Sequence, residues 1–383
     1  VTTLLDIEPA DSSAVRIGAL VPLTRPGWVE AGQHLLAGLE LAVADVNDAG
    51  GIDGRRLELI VRDTAADPQK ASGAVDELAA LGVVALAGEY HSVVARTAAA
   101  RAEAIGLPFL CSSAVLDALT EQPSRWVARL APPQSRGWRI YADHLLEAGH
   151  QRIAVASQPS VYWAAGIGIL HDHLSQRGAT LVELGSLEPL SACNELAGSE
   201  ATALLLLVGY PEPAVSLVQA VRQDARLAGL WMGAPAGQPE LAQWAELLGD
   251  QGAAVPFLRY LPERLSPLGQ RTEVALQERL GGPPSFVAFE GYDTVAVLAR
   301  MIQTCGEDRA RIADAWPLVV VEGTRGTIRF SRVPGISVWQ WASAPVQVAD
   351  RDPADAGRFR VLRSDPGAQG DAPSALAAPR QAS

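Results

Sequence analysis

Between Val15 and Asp63 the sequence spells a strand, a helix and a second strand with turn residues at both joints, an order that commits the chain to a crossover fold. Val15-Arg16-Ile17-Gly18-Ala19-Leu20-Val21 is a short apolar run closed by Pro22, and a polar loop from Thr24 to Gly32 follows. Leu35, Leu36, Leu39, Ala42, Val43 and Val46 then recur at spacings of three and four, the stripe of an amphipathic helix. Asn47-Asp48-Ala49-Gly50-Gly51-Ile52-Asp53-Gly54 reads as a helix stop and a turn, and Leu57 to Asp63 as the second strand. Parallel strands need a crossover connection, usually a helix, so the pattern predicts an α/β protein with parallel sheets.

At 383 residues the chain is too long for one ordinary domain, and two lobes are expected. Its formal net charge of −12, with no Lys/Arg run to displace counterions from phosphates, argues against nucleic acid as a partner. Lys70 is the only lysine. No apolar stretch is long enough for a membrane span, and Val1 to Ser13 is too polar for a signal peptide, so a mature or truncated chain is expected. Cys111, Cys193 and Cys305 are scattered without metal-ligand spacing and read as buried free thiols, so neither a metal nor another cofactor is expected.

Ile17-Gly18-Ala19-Leu20-Val21-Pro22-Leu23-Thr24 is followed by Ala31-Gly32 with Gly38, then Ala44-Asp45-Val46-Asn47, then Gly50-Gly51-Ile52-Asp53-Gly54-Arg55-Arg56-Leu57, then Asp63 and Asp67-Pro68. This ordered set resembles the first unit of the type I periplasmic (solute) binding proteins, the branched-chain amino acid and amide binding family of ABC transporters. The likeness continues in patches to about Val348. It implies two Rossmann-like lobes with parallel sheets, joined by a three-stranded hinge. It also implies an extracytoplasmic monomer that closes around a small carboxylate-bearing ligand and works with an ABC permease.

Further strands and helices alternate as that fold requires. Strands are expected at Val83–Gly88, Pro108–Ser112, Arg152–Ala156, Thr180–Leu184, Ala203–Val208 and Leu230–Gly233. Helices are expected at 71–81, 93–105, 136–147, 164–177, 213–222, 268–280 and 288–301. Thr324–Ser331 and Val338–Trp341 alternate in character, as edge hairpin strands do. The resemblance implies three crossings between lobes, near Pro133, Pro256 and Arg332. The first lobe would comprise residues 14–132 and 257–331, the second 133–256 and 332–363, with tails at 1–13 and 364–383. The last stretch has little to bury and reads as a linker or disordered tail.

Open α/β sheets bind ligands at the carboxyl ends of their strands. After the strand ending at Gly88 comes Glu89-Tyr90-His91-Ser92, with Ser92 expected as the N-cap of the next helix. A hydroxyl beside free first-turn amides suits a carboxylate, although most such serines only cap a helix. The resemblance assigns Ser92 to the ligand carboxylate, with Ser113 and Ala114 completing the cradle; Val115 departs from the pattern by removing a hydroxyl. It also implies that Tyr162 and Tyr210 close over the ligand from the second lobe. Trp28, Tyr90, His91 and Phe289 are further wall candidates, and Trp163 adds stacking area.

Family members that bind amino acids put an acidic residue after the strand that here ends at Gly233, to pair with the ligand ammonium. This chain has Ala234-Pro235-Ala236. Either Glu89, Glu290 or Glu212 substitutes, or the ligand has no α-ammonium; the second reading is favoured, and an aromatic or branched carboxylic acid would suit the aromatic residues. Glu290 itself is expected on a solvated helix face. No Gly-x-Ser-x-Gly elbow, HExxH or Walker loop is present, so catalysis is not expected. The alternatives are a ligand-sensing domain of a signalling protein and, more weakly, a hydrolase.

Overall fold

The computed structural model describes residues 14–365. It begins with β1 (Val15–Val21), α1 (Val29–Asp48), β2 (Leu57–Asp63), α2 (Pro68–Ala80), β3 (Ala85–Gly88), α3 (Ser92–Ile105), β4 (Phe109–Cys111) and β5 (Val127–Arg129). The chain continues through α4 (Gln134–Glu147), β6 (Arg152–Ser157), α5 (Val161–Ser175), β7 (Thr180–Glu183), α6 (Pro189–Gly198), β8 (Ala203–Leu207), α7 (Ala214–Gln223), β9 (Trp231–Gly233) and α8 (Ala242–Leu248). It ends with β10 (Phe257–Arg259), α9 (Pro267–Leu280), α10 (Phe286–Cys305), α11 (Arg309–Asp314), β11 (Val320–Gly323), β12 (Gly326–Ser331), β13 (Trp339–Trp341), β14 (Val346–Asp352) and β15 (Asp355–Asp365).

The α/β architecture with two parallel sheets is as expected. The first sheet has eight strands in the order β11-β12-β13-β5-β4-β3-β1-β2, parallel from β13 onward. The second has four, β7-β6-β8-β9, parallel throughout. A third, antiparallel sheet joins β10, β14 and β15. The chain thus leaves the first sheet after β5, returns to it between β10 and β11, and leaves it again between β13 and β14.

Two of these passages differ from the expected positions. β10 pairs with β14, so the second falls after Arg259 rather than near Pro256. β13 lies inside the first sheet beside β5, so the third falls after Trp341 rather than near Arg332, and the sheet edge is β11. Gln340 explains the insertion: fully buried, it accepts from Arg129 Nε at 2.7 Å and donates to the Ala131 carbonyl at 2.8 Å. The sequence reading also lacks α6 and the hairpin β14–β15. Ser364 and Asp365 belong to that hairpin, not to a tail; residues 1–13 and 366–383, expected as tails, lie outside the described residues.

Close packing of α1 on α10 fixes one side of the cleft. A Cβ at Gly38 would lie 1.9 Å from the Ala288 carbonyl oxygen, and one at Gly291 2.4 Å from that of Leu35. Only glycine at both positions lets the two backbones approach this far. The consequence is that the first turn of α10, with Phe286, sits beside the start of α1 at the cleft.

Candidate functional site

A cavity of about 230 Å³ lies between the carboxyl ends of the two parallel sheets. That volume falls just below the roughly 300 Å³ at which pockets begin to suit drug-sized ligands, and so fits a small metabolite. Trp28, Tyr90, His91, Ser92, Val93, Val94, Ser113 and Val115 line it on the first side; Ser160, Tyr162, Trp163, Gly209 and Ala236 line it on the second. Tyr260 and Phe286 close the floor. Six aromatic rings and several hydroxyls face the space, and among the described residues no Asp, Glu, Lys or Arg does.

Ser92 reaches this cavity by a different local structure from the expected one. The N-cap of α3 is His91, and Ser92 is the first helical residue. Its Oγ accepts from the amides of Val115 at 3.2 Å and Leu116 at 3.3 Å, which ties the loop after β4 to the start of α3. With both acceptor positions taken, the hydroxyl proton is left to donate to another group. The first amides of α3, including those of cavity-lining Val93 and Val94, have no partner within the helix. Together they form a donor-rich, electropositive end.

His91 serves Trp28. Its Nε2 accepts from the Trp28 amide at 3.1 Å, so the ring proton is on Nδ1, and burial pulls its pKa down to about 4. The imidazole is therefore neutral near pH 7. Trp28 stands 5.7 Å from Tyr90 between ring centroids and the same distance from Tyr210. Opposite, Ser160 caps α5 by accepting from the Trp163 amide at 3.0 Å, which sets Tyr162 and Trp163 in the first turn with centroids 4.7 Å apart. Burial raises the phenol pKa values of Tyr90, Tyr162 and Tyr260 above their usual range, so all three stay protonated.

Three of the expected site residues stand outside the lining. Tyr210 packs between Trp28 and Trp244, with a centroid distance of 6.2 Å to the latter, and lines a neighbouring cavity on the far face of Trp28. Ala114 and Phe289 are buried in the core, at 0% and 1% exposure. On α10 it is Phe286, one turn earlier, that meets the cavity, its ring 5.0 Å from that of Tyr260. The sequence reading names neither Tyr260 nor Phe286 as a site residue. The only signal was an aromatic residue beside each expected crossing or helix start.

None of the three glutamates considered as ammonium partners lines the cavity. Glu89 is fully buried; it accepts the Tyr90 and His91 amides at 2.8 Å each and the Thr64 hydroxyl at 2.7 Å, and burial raises its pKa to about 7. It shapes the loop before α3. Glu290 is not on a solvated face: it is buried with Asp293 around Arg325, at 3.2 Å and 3.0 Å respectively, and burial raises its pKa to about 7. Arg325 also donates to the carbonyl of Tyr260 at 3.3 Å, so this cluster supports the cavity floor from behind. Glu212 is exposed and accepts from Ser216.

Among the described residues no group of three or more His, Cys, Asp or Glu side chains could hold a metal ion, and no helix is long and apolar enough to cross a membrane. Cys111, Cys193 and Cys305 are free; the first two are buried and the third half-buried.

A two-sheet α/β chain with a ligand-sized cavity between the strand ends defines a cleft-type binding protein. The match of residues 14–339 to the periplasmic binding protein family model makes the assignment specific: the chain belongs to that family. It is 29% identical over 178 residues to a Leu/Ile/Val-binding protein homolog of Brucella abortus, a match spanning 44% of each chain. The chain therefore spans less than half the length of that curated relative. A leucine-binding protein of Thermotoga maritima shares the fold with a TM-score of 0.78 at 19% identity, covering 92% of this chain and 98% of that one. A solute-binding protein of an ABC transporter from R. palustris, solved in complex with benzoate, aligns with a TM-score of 0.77 at 18% identity over 92% of this chain and 96% of that one.

Proposed function

We propose that this chain is an extracytoplasmic solute-binding protein of an ABC importer, whose two lobes close on a small aromatic carboxylate that carries no α-ammonium. One observation carries the reading: the cavity has a donor-rich end at α3, six aromatic rings around the rest, and no acidic side chain. A carboxylate at the α3 end would accept from the Ser92 hydroxyl and the first helical amides, bonds strengthened by its charge. An ammonium would lose its water shell without gaining an anion, at a cost of several kcal/mol. Aromatic walls suit a flat ring, since ring pairs contribute beyond the area they bury.

Closure follows from differential contact. A ligand that touches Ser92 and Ser113 on one side and Tyr162 and Trp163 on the other is held on both sides only when the lobes meet, so it favours the closed state. The closed protein, acting as a monomer, would then present its cargo to an ABC permease. The structure with benzoate at a TM-score of 0.77 supports this ligand class, and the structures with leucine and isoleucine among the neighbours define the competing one. Mass spectrometry of small molecules released from the purified, denatured protein tests it. An aromatic acid is expected, and leucine, isoleucine or valine in stoichiometric amount would overturn it.

A further inference from the structure

Outside the ligand cavity, on the far face of Trp28, the two lobes are joined by hydrogen bonds that use backbone amides as donors. Glu30, in the first turn of α1, sends its carboxylate across the cleft to the start of α8. One oxygen accepts from the Ala242 amide at 2.5 Å and the other from the Gln243 amide at 3.1 Å. The sequence of α8 supplies no cap of its own, because Leu241 stands at its N-cap. The carboxylate from the opposite lobe thus answers two of the helix's unpaired amides.

A second glutamate crosses in the other direction. Glu240, two residues before Ala242, accepts from the Phe286 amide at the first residue of α10 at 3.0 Å; Arg259 Nε donates to the same oxygen at 3.2 Å and pairs electrostatically with the other at 2.9 Å. The preceding amide, Ser285, is answered from within its own lobe by His34 Nδ1 at 2.9 Å. His34 lies four residues after Glu30, so one face of α1 carries both contacts. The segment that presents Glu240 and the α8 amides is fixed by Arg351, which donates to the carbonyls of Pro239 at 2.7 Å and Leu241 at 2.8 Å.

We infer that Glu30 and Glu240 form a reciprocal clasp that fastens the closed cleft independently of the ligand, with Glu30 as the releasable member. Glu240 is 5% exposed and locked to Arg259, whereas Glu30 is half-buried and its two bonds are the ones that parting lobes break first. Neither residue lines the ligand cavity, so both act as positioning residues. The clasp sets how much of the closure free energy the ligand must supply, and hence affinity and release, without setting which ligand binds.

This inference rests on the lobes parting, as proposed above, but not on the identity of the ligand. Small-angle scattering of the ligand-free full chain reads it, with a thermal melt on each protein to establish folding. Two variants cut the contact from opposite sides, one removing both bonds and the other only that from the Ala242 amide. Glu30→Ala deletes the acceptor. Ala242→Pro deletes a donor at the first position of α8, where proline is well tolerated, and Leu241 before it has φ −73° and ψ 140°, the conformation proline asks of its predecessor. Each variant is expected to raise the open-to-closed ratio by about tenfold or more over the unaltered chain, as for the loss of a charge-assisted hydrogen bond. The double variant should open no further than Glu30→Ala alone, because the bond that Ala242→Pro removes is already lost there. An unaltered chain already as expanded as the variants would overturn the clasp, as would expansion in neither variant. Expansion in Glu30→Ala alone would also overturn it, by assigning Glu30 to the stability of its own lobe. Failure of benzoate to bind would remove the proposed ligand and leave the scattering result standing.

Discussion

The two sides of the cleft are built by different means. On the first side the polar contacts come from backbone and small hydroxyls: the opening amides of α3, Ser92 and Ser113. On the second side Tyr162, Trp163, Gly209 and Ala236 contribute rings and small apolar surface, and the place after β9 holds no charge. In the proposed function, the first arrangement would read a feature shared by every carboxylic acid, and the second would decide what the carboxylate is attached to. Under the proposed reading, a family that shares the first side can change ligand class by changing the second, and Ala234-Pro235-Ala236 is that change here.

The most direct way to break this division is to put an acid on the second side. Ala236→Glu should weaken benzoate binding by about 3 kcal/mol or more, because closure would then bury an unpaired charge, and it should improve binding of phenylalanine. Calorimetry with both ligands reads the switch; an unchanged preference would mean that Ala236 does not face the ligand's α-carbon. A smaller loss is expected on the first side. Ser92→Ala should cost about 1–3 kcal/mol for benzoate and similarly for any carboxylate that binds, since it removes a charge-assisted hydrogen bond. Unchanged affinity in that variant would remove Ser92 from the carboxylate end.

A third test sharpens the contrast between the apolar lining and the carboxyls buried behind it. Glu89 and Glu290 both have pKa values raised to about 7 by burial, against 4.5 ordinarily. The folded chain therefore holds protons that the unfolded chain has released between those values, so their contribution to stability falls as pH rises from about 4.5 to 7 and is flat above. Glu89→Gln takes out one share of this slope. Urea denaturation across that range should show the stability of the unaltered chain, relative to the variant, declining with rising pH. A constant difference would mean that Glu89 keeps its ordinary pKa in the folded chain.

The local pattern made the fold legible. Apolar periodicity and glycine turns located β1, α1 and β2, and the helix faces of α2 to α5 follow the same rule. What pattern could not supply were contacts made across long separations. Ser92 looks like a helix cap because capping is a one-turn inference, yet its Oγ partners are the amides of Val115 and Leu116, 23 and 24 residues away. Glu290 looks like a solvated helix residue because its partner, Arg325, comes from a turn 35 residues later. Tyr260 and Phe286 reach the cavity from a crossing segment and a helix start, where no periodicity marks a face. Glu30 is an ordinary first-turn acid in sequence, and only the arrival of α8 gives it a role across the cleft.

Phenylalanine and 3-phenylpropanoate share a ring, a chain and a carboxylate and differ only in the α-ammonium. Parallel calorimetric titration of the two isolates the question that the acid-free second side raises. The account predicts that 3-phenylpropanoate binds at least about tenfold more tightly, the least that several kcal/mol of uncompensated ammonium burial would produce. Equal or tighter binding of phenylalanine would contradict it.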